Sequence, residues 1–399
     1  MLKTKTDIIT LSALLALGAY SAPVLAAEPL ANYSDAIPLQ VDGCNSASRA
    51  PIPGAPNLFI ARHVLDNNGS LLSAACSPEV RKHQSGLVLE ELDWNKRQFT
   101  VIKILLPVPL IVSGGPMRGL GISAAFDPDV VVYRGQYWVS FECGLSNAQQ
   151  FGIRGQASCI APFDSARQEI MRDKIYVIVS GQHDENNQYS ASVPTFLAAK
   201  DRLYLYWSVV KGSRGNFLEQ SARGAELVSD SNGYLWVKNA GGMAYSVDDR
   251  TTVEVWGPDK NNPMSDSSVD IKSLWAHGND IIAIASLGGS GCTKPGVNAP
   301  GCYRMAMVKA SQPLGYHIFN NAPLMDEAVL PTNPTDYIQP IKRPSGQYMI
   351  LGHFYYPYHN GYSDLRIVPP QSEWPKGVKP LTYQDVALPL ADSSLWPEN

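Results

Sequence analysis

Strand–turn–strand units recur along this 399-residue chain at spacings of roughly 70 residues. Each unit is a β-rich run, a tight turn and a second β-rich run. The clearest copies begin near residues 127, 192, 270 and 338, and a degraded copy with a turn at residues 67–69 opens the series. A third strand is predicted after each hairpin, at residues 86–90, 156–161, 223–229, 304–310 and 364–368.

A single four-stranded meander cannot bury both of its faces, whereas several meanders packed around an axis bury their faces and protect their edges. Five units of four strands therefore predict an all-β fold, a five-bladed β-propeller of four-stranded antiparallel blades over residues 49–399. The alternative is a β-sandwich in which the regular spacing is accidental. No WD or kelch signature accompanies the repeat.

The N-terminus has the pattern of a secretory signal peptide over residues 1–26. A basic start is followed by an apolar stretch at 8–25 and then by small residues. We expect cleavage after Ala26 or one residue later, a lead-in segment over 27–48, and a periplasmic or secreted protein. Pro23 disfavours the alternative, a retained membrane anchor. No other apolar run reaches the ~18 residues of a membrane span, so none is expected after cleavage.

All six cysteines follow the predicted cleavage site, and an even number in an exported chain predicts disulfide bonds. Proximity along the chain favours one of fifteen connectivities, Cys44–Cys76, Cys143–Cys159 and Cys292–Cys302. Their spacing does not match a zinc site, so no metal ligand is assigned to them.

Composition and motifs exclude several functions. The chain has 32 Lys and Arg against 36 Asp and Glu, a net charge of −4. A nucleic-acid binder would need a basic surface, so no nucleic-acid partner is expected. The sequence contains no Walker A loop, no Gly-x-Ser-x-Gly elbow and no His-Glu-x-x-His motif.

The unit over residues 125–138 resembles the first-strand motif of the five-bladed propeller glycosidases, the group of arabinanases, β-xylosidases, invertases and levansucrases. In that group an Asp-Pro-x-apolar strand precedes a turn and an aromatic strand, and here the strand begins with Asp127-Pro128. Residues 193–208 resemble a further blade of the group, and residues 224–236 resemble third and fourth strands. The resemblance extends to about residue 358 and is a match of pattern.

This resemblance implies a glycoside hydrolase-like protein that acts on a poly- or oligosaccharide through axial carboxylates. In that group the Asp of Asp-Pro is a general base or nucleophile, a Glu from another blade is the general acid, and a third carboxylate tunes one of the two. Asp127 matches the first role. The sequence departs from the pattern at Val193, where the group carries its tuning Asp, and it has no Glu-Gly-Pro acid motif.

The propeller geometry suggests substitutes, because first strands begin and second strands end on the same face. Glu142 ends the second strand of the Asp127 unit and is our candidate acid, and Asp270 opens the fourth unit as a second or tuning carboxylate. Strand alternation places Asp129 on the same face as Asp127. Our candidate substrate-binding residues are Asp129, Trp138, Asp184, Trp207, Asp336, His353 and Tyr355.

Each candidate also has a structural reading. An Asp that begins a strand often caps a turn, and aromatic residues are ordinary inter-blade packing. Two functions besides hydrolysis therefore stay open: a non-catalytic glycan-binding propeller, and a structural or interaction protein of the cell envelope. We expect a carbohydrate ligand and no required cofactor, while the sequence leaves open a calcium ion on the axis.

Overall fold

The computed structural model describes fourteen stretches of the chain, which contain β-strands, turns and three short 3₁₀ helices, Ala148–Phe151, Arg172–Lys174 and Ser393–Leu395. The described residues are 37–72, 84–153, 156–181, 188–189, 191–213, 216–240, 245–246, 252–257, 268–288, 303–319, 324–326, 339–356, 382–389 and 392–397. The predicted signal peptide lies outside them. Within these stretches no helix is both long enough and apolar enough to cross a membrane.

The strands pair as five antiparallel meanders, here called blades I to V. Blade I contains β2 (Asn45–Ile52), β3 (Ala55–Val64), β4 (Ser85–Asp93) and β5 (Gln98–Leu106). Blade II contains β7 (Gly121–Tyr133), β8 (Gln136–Leu145), β9 (Ala157–Asp164) and β11 (Tyr176–Ser180), with the short β6 (Leu110–Ile111) and β10 (Glu169–Ile170) attached.

Blade III contains β13 (Ser192–Ala199), β14 (Arg202–Ser213) and β15 (Asn216–Ser229), with β16 (Leu235–Val237) and β18 (Val253–Trp256) both paired to β15. The short β12 (Gln188–Tyr189) joins β14, and β17 (Tyr245–Ser246) joins β11. Blade IV contains β19 (Ser268–His277), β20 (Asp280–Gly288), β21 (Tyr303–Ala310) and β22 (Met325–Asp326).

Blade V is completed by a strand from the other end of the chain. It contains β23 (Gln339–Lys342), β24 (Tyr348–Tyr356), β25 (Thr382–Pro389) and β1 (Ile37–Val41). The antiparallel pair of β1 and β25 sets Leu39 opposite Asp385. The inner strands contact one another in the cyclic order β2, β7, β13, β19, β23 and back to β2. This closed ring is a five-bladed β-propeller, as the repeat predicts.

The inner hairpins of blades II and III turn where the sequence predicts. Arg134 and Gly135 have φ of 51° and 78°, and Lys200 and Asp201 have φ of 50° and 59°. Two consecutive residues with positive φ are what a tight hairpin turn needs if it is to follow the twist of its strands. The predicted turns are confirmed at both places.

Three predicted boundaries are wrong. The inner hairpin of blade I joins β2 to β3 through Gly54, at φ 79°, and the predicted turn at 67–69 comes after β3. The strand beside β24 is β25, not residues 364–368, which lie outside the described residues. The propeller includes residues before residue 49, back to Ile37 at least, because β1 and β2 belong to blades. The strand β2 was not predicted because its small and polar residues do not form a hydrophobic pattern.

The hydrophobic core lies between the blades. Its largest cluster runs from blade I through blade III, and a second lies between blades III and IV. Cys143 in β8 is bonded to Cys159 in β9, with Cα atoms 5.8 Å apart, which confirms that predicted pair. Cys44 is also disulfide-bonded. The other predicted partners lie outside the described residues: Cys76, Cys292 and Cys302.

Candidate functional site

The inner strands of blades II, III and IV each lose their regular pairing at one point. The register shifts between Phe126 and Asp129 in β7, between Ser192 and Thr195 in β13, and between Ile271 and Ser273 in β19. Asp127 lies inside the first of these bulges with φ 55°, and Val193 lies inside the second with φ 49°. A bulge changes the direction of the side chains it contains.

Positive φ is uncommon for any residue with a side chain and rarer still for a β-branched one. The backbone at Val193 therefore adopts a conformation that its own side chain disfavours. What this conformation provides is an N–H group: the Val193 amide donates to Glu142 Oε2 at 3.4 Å. Val193 occupies the position where the glycosidase pattern has an Asp. Its backbone N–H, and not a side-chain carboxylate, contacts Glu142 of blade II.

Glu142 is the most deeply buried of the three predicted catalytic carboxyls, with 7% of its surface exposed. It lies in β8 opposite Phe126, next to Asp127, and the Gln156 side-chain amide donates to its Oε1. Burial raises the pKa of Glu142 well above its ordinary value, and the negative charge of Asp127 raises it further. Asp270 adds to that effect, while the Val193 N–H and Arg62 oppose it.

Asp127 is partly exposed, and its Oδ1 accepts a hydrogen bond of 2.7 Å from Ser48 Oγ in blade I. Asp270 accepts a hydrogen bond of 2.6 Å from Ser208 Oγ in blade III and forms an ion pair with Lys272 two residues along its own strand. The Lys272 side chain is only 3% exposed, against 15% for Asp270. Each of these two aspartates is thus oriented by a neighbour.

The structure therefore brings Asp127, Glu142 and Asp270 into one electrostatic group, in which the charges of both aspartates act on the glutamate. This juxtaposition has the components of acid–base chemistry: a buried carboxyl whose pKa is raised and a partly exposed carboxyl beside it. Their catalytic roles stay predictions.

Four residues of this group were missed from the sequence: Arg62, Lys272, Ser48 and Ser208. The Arg62 guanidinium lies 4.3 Å from the centre of the Phe126 ring, and its Nε donates to Ser85 Oγ at 3.1 Å. Lys272 could have been found, because it follows Asp270 by two positions in a predicted strand. Arg62 was hidden by the wrong register assigned to blade I.

Asp129 lies on the opposite side of β7 from the position that alternation predicts. Its Oδ2 accepts a hydrogen bond of 2.6 Å from the Phe196 N–H in blade III, whereas Asp127 bonds to blade I. The bulge between Phe126 and Asp129 breaks the alternation on which the prediction depended. Burial raises the pKa of Asp129 to about 7. Asp129 is therefore a link between two blades and not a partner of Asp127.

The two predicted tryptophans are part of the core. Trp138 is 4% exposed and Trp207 1% exposed, and both pack in the cluster between blades I and III. Their assignment as sugar-binding residues is wrong, because buried rings cannot stack on a ligand. Asp184 and Asp336 lie outside the described residues.

His353 and Tyr355 lie in β24, opposite Asp385 and Tyr383 of β25. Only their backbone falls within the described part, so their role as ligands stays a prediction. Among the described residues, no group of three or more His, Cys, Asp or Glu side chains has the arrangement of a metal site. No residue is therefore assigned to the calcium ion that the sequence leaves open.

Comparison with known proteins yields structural matches only. No protein-family model matches the sequence, and no curated protein matches it. The GH43 endo-arabinanase of Bacillus licheniformis is 13% identical with a TM-score of 0.46, and the match covers 90% of this chain and 100% of that one. The endo-arabinase of Bacteroides thetaiotaomicron is 11% identical with a TM-score of 0.45, covering 91% and 97%.

A thermostable family-43 glycoside hydrolase is 12% identical with a TM-score of 0.49, covering 90% of this chain and 97% of that one. The similar structures thus include arabinanases, the group that the motif at Asp127 resembles. Identities and TM-scores this low carry no statement about activity, and the five-bladed architecture rests on the strand pairing described above.

Proposed function

We propose that this protein is an exported glycoside hydrolase that cleaves a poly- or oligosaccharide at the centre of the propeller. The observation that carries the proposal is the pair of unlike carboxyls. Glu142 is buried with its pKa raised well above the ordinary value, and Asp127 is partly exposed beside it. Glycosidases use such a pair, since one group must donate a proton while the other is ionised.

In this proposal Glu142 donates its proton to the oxygen of the leaving sugar as the glycosidic bond breaks. Asp127 either attacks the anomeric carbon or removes a proton from the water that attacks it. Asp270 keeps the charge near Glu142 negative, which favours the protonated acid. Val193 supplies a backbone hydrogen bond where the related pattern has a third acid.

A non-catalytic glycan-binding propeller is the second candidate. It is favoured by the side chain of Val193, which has no carboxylate to offer at the tuning position, and by the missing Glu-Gly-Pro motif. Both candidates predict binding of a glycan, so only turnover separates them.

The test is release of reducing ends by the mature protein from arabinans, xylans, fructans and bacterial envelope glycans. Asp127→Asn is assayed alongside, with Glu169→Gln as the matched control, because Glu169 is an exposed carboxylate 51% open to solvent and paired with Lys103. We expect the wild type and the control to release sugar and Asp127→Asn to be inactive at an unchanged melting temperature. Full activity of Asp127→Asn would remove Asp127 from the mechanism, and glycan retention without release would establish the binding propeller.

A further inference from the structure

Arg62 is a cation of the carboxylate group that the proposed chemistry does not use. It lies in β3, the second strand of blade I, and its guanidinium covers the ring of Phe126, the residue before Asp127. Its Nε is bound to Ser85 Oγ at 3.1 Å. Stacking on the ring and the single hydrogen bond together fix the plane of the guanidinium before any ligand arrives.

The two terminal Nη groups carry four of the five N–H donors of an arginine. In the part of the chain that the structure describes, neither of them has a hydrogen-bond acceptor, and the side chain is partly exposed. Its positive charge still acts on Glu142. Arg62 thus presents an oriented fork of donors beside the proposed proton donor.

The charges of the group leave room for an anion. The cations Arg62 and Lys272 stand against the carboxyls of Asp127, Glu142 and Asp270, and Lys272 is paired with Asp270. The two cations therefore offset two of the three carboxyls, and the raised pKa of Glu142 favours the neutral form of the third, so the repulsion of an acidic ligand is reduced. A guanidinium fork binds a planar carboxylate through two parallel hydrogen bonds, a geometry that neutral hydroxyl groups do not match.

We infer that Arg62 binds a carboxylate of the substrate and that the preferred glycan contains uronic acid residues. This inference rests on the proposed glycan-directed function and names the class of substrate for that site.

The experiment measures affinity by calorimetry for matched oligosaccharide pairs: oligogalacturonate against its methyl ester, and glucuronoxylan oligosaccharides against unsubstituted xylo-oligosaccharides. The protein is the mature chain carrying Asp127→Asn, so that the ligand is not consumed. We expect one acidic member to bind at least tenfold more tightly than its neutral partner. Arg62→Met should remove that preference, and Arg62→Lys should retain part of it, since a lysine keeps the charge and loses the fork.

Arg167→Met is the matched control, because Arg167 is 79% exposed in a turn of blade II. It should keep the preference, and circular dichroism should show that each variant is folded. Equal affinity for both members of every pair, or an undiminished preference in Arg62→Met or Arg62→Lys, would overturn the inference. Arg62-dependent binding of sulfated oligosaccharides alone would also overturn it, because the ligand group would then be a sulfate ester.

These outcomes are separable from failure of the proposed hydrolysis. Selective binding of uronates without any release of sugar would leave Arg62 as a carboxylate ligand in a binding protein. Release of sugar with no preference between acidic and neutral glycans would keep the hydrolase and refute the role of Arg62.

Discussion

Glu90 in blade I and Glu142 in blade II are both buried glutamates, at 0% and 7% exposure, yet their pKa values are shifted in opposite directions. Glu90 lies between Arg49, whose Nε is 2.5 Å from Oε2, and His63, whose Nε2 is 2.5 Å from Oε1. Burial alone would raise the pKa of Glu90, but the charge of Arg49 and the hydrogen bond with His63 outweigh it and lower the pKa.

Glu142 has no cation in hydrogen-bond contact among the described residues. Its contacts are the Gln156 amide and the Val193 N–H, and two aspartates stand nearby. Two glutamates of similar burial thus have pKa values shifted in opposite directions, and the charge of the immediate partners decides the direction. A neighbouring arginine favours the ionised form of a glutamate, whereas neighbouring carboxylates favour its protonated form.

The largest expected effect is on turnover. Glu142→Gln should lower kcat by about 10²–10⁴-fold, because the amide has no acidic proton to donate. Its free energy of unfolding should change little, because the raised pKa of Glu142 favours a neutral carboxyl, which the amide matches in size and charge. Initial rates and urea denaturation on the same preparation check both statements. Activity above a tenth of the wild type would assign the general acid elsewhere.

Glu90→Gln should have the opposite effects, with lower stability and unchanged turnover. Removing the anion breaks the buried ion pair with Arg49, so we expect the free energy of unfolding to fall by about 3–5 kcal/mol. The activity of each folded molecule should stay near that of the wild type, measured at a temperature well below the transition. A Glu90→Gln variant that was stable but had lost turnover would contradict the assignment of Glu90 to stability and Glu142 to turnover.

Asp129 is a third case, in which the neighbouring groups are neutral. Its contacts are backbone N–H groups, which lower its pKa, but burial has the larger effect and raises it. Its pKa of about 7 in the folded state is above the value of 3.8 for an ordinary Asp. The protonated form thus favours folding, and this stability is complete below pH 3.8 and is lost as the pH rises through 7. Asp129→Asn should be more stable than the wild type at pH 8 by about 2–4 kcal/mol, and equal to it at pH 4. Denaturation at the two pH values measures this, and equal stability at pH 8 would contradict it.

The smallest expected effect is a displacement of the pH profile. Asp270 raises the pKa of Glu142, so Asp270→Asn should lower that pKa. The ion pair of Asp270 with Lys272 is lost as well, and the positive charge of Lys272 then lowers the pKa of Glu142 further. Because the protonated acid is the active form, the alkaline limb of kcat should move to lower pH. A pH–rate profile tests the shift, and a limb that does not move would show that Glu142 does not control it.

The sequence was sufficient for the inner hairpins of blades II to IV, where apolar alternation and turn residues agree. It failed for β2, whose Ser48 and Arg49 are buried through polar contacts and so break the hydrophobic pattern. The three predicted carboxyls could be grouped from propeller geometry alone. The side of the strand taken by Asp129 could not, because a bulge follows from contacts between blades and has no marker in the local sequence.

The pairing of Leu39 with Asp385 has a consequence for the order in which the molecule can form. During synthesis β1 is made before the other described strands, and its partner β25 is made after them. Until β25 is made, the chain is an open arc with free strand edges at both ends, which are sites for unwanted pairing. Loss of β1 or β25 to a protease would open the ring at the same place, because these two strands together join blade V to blade I.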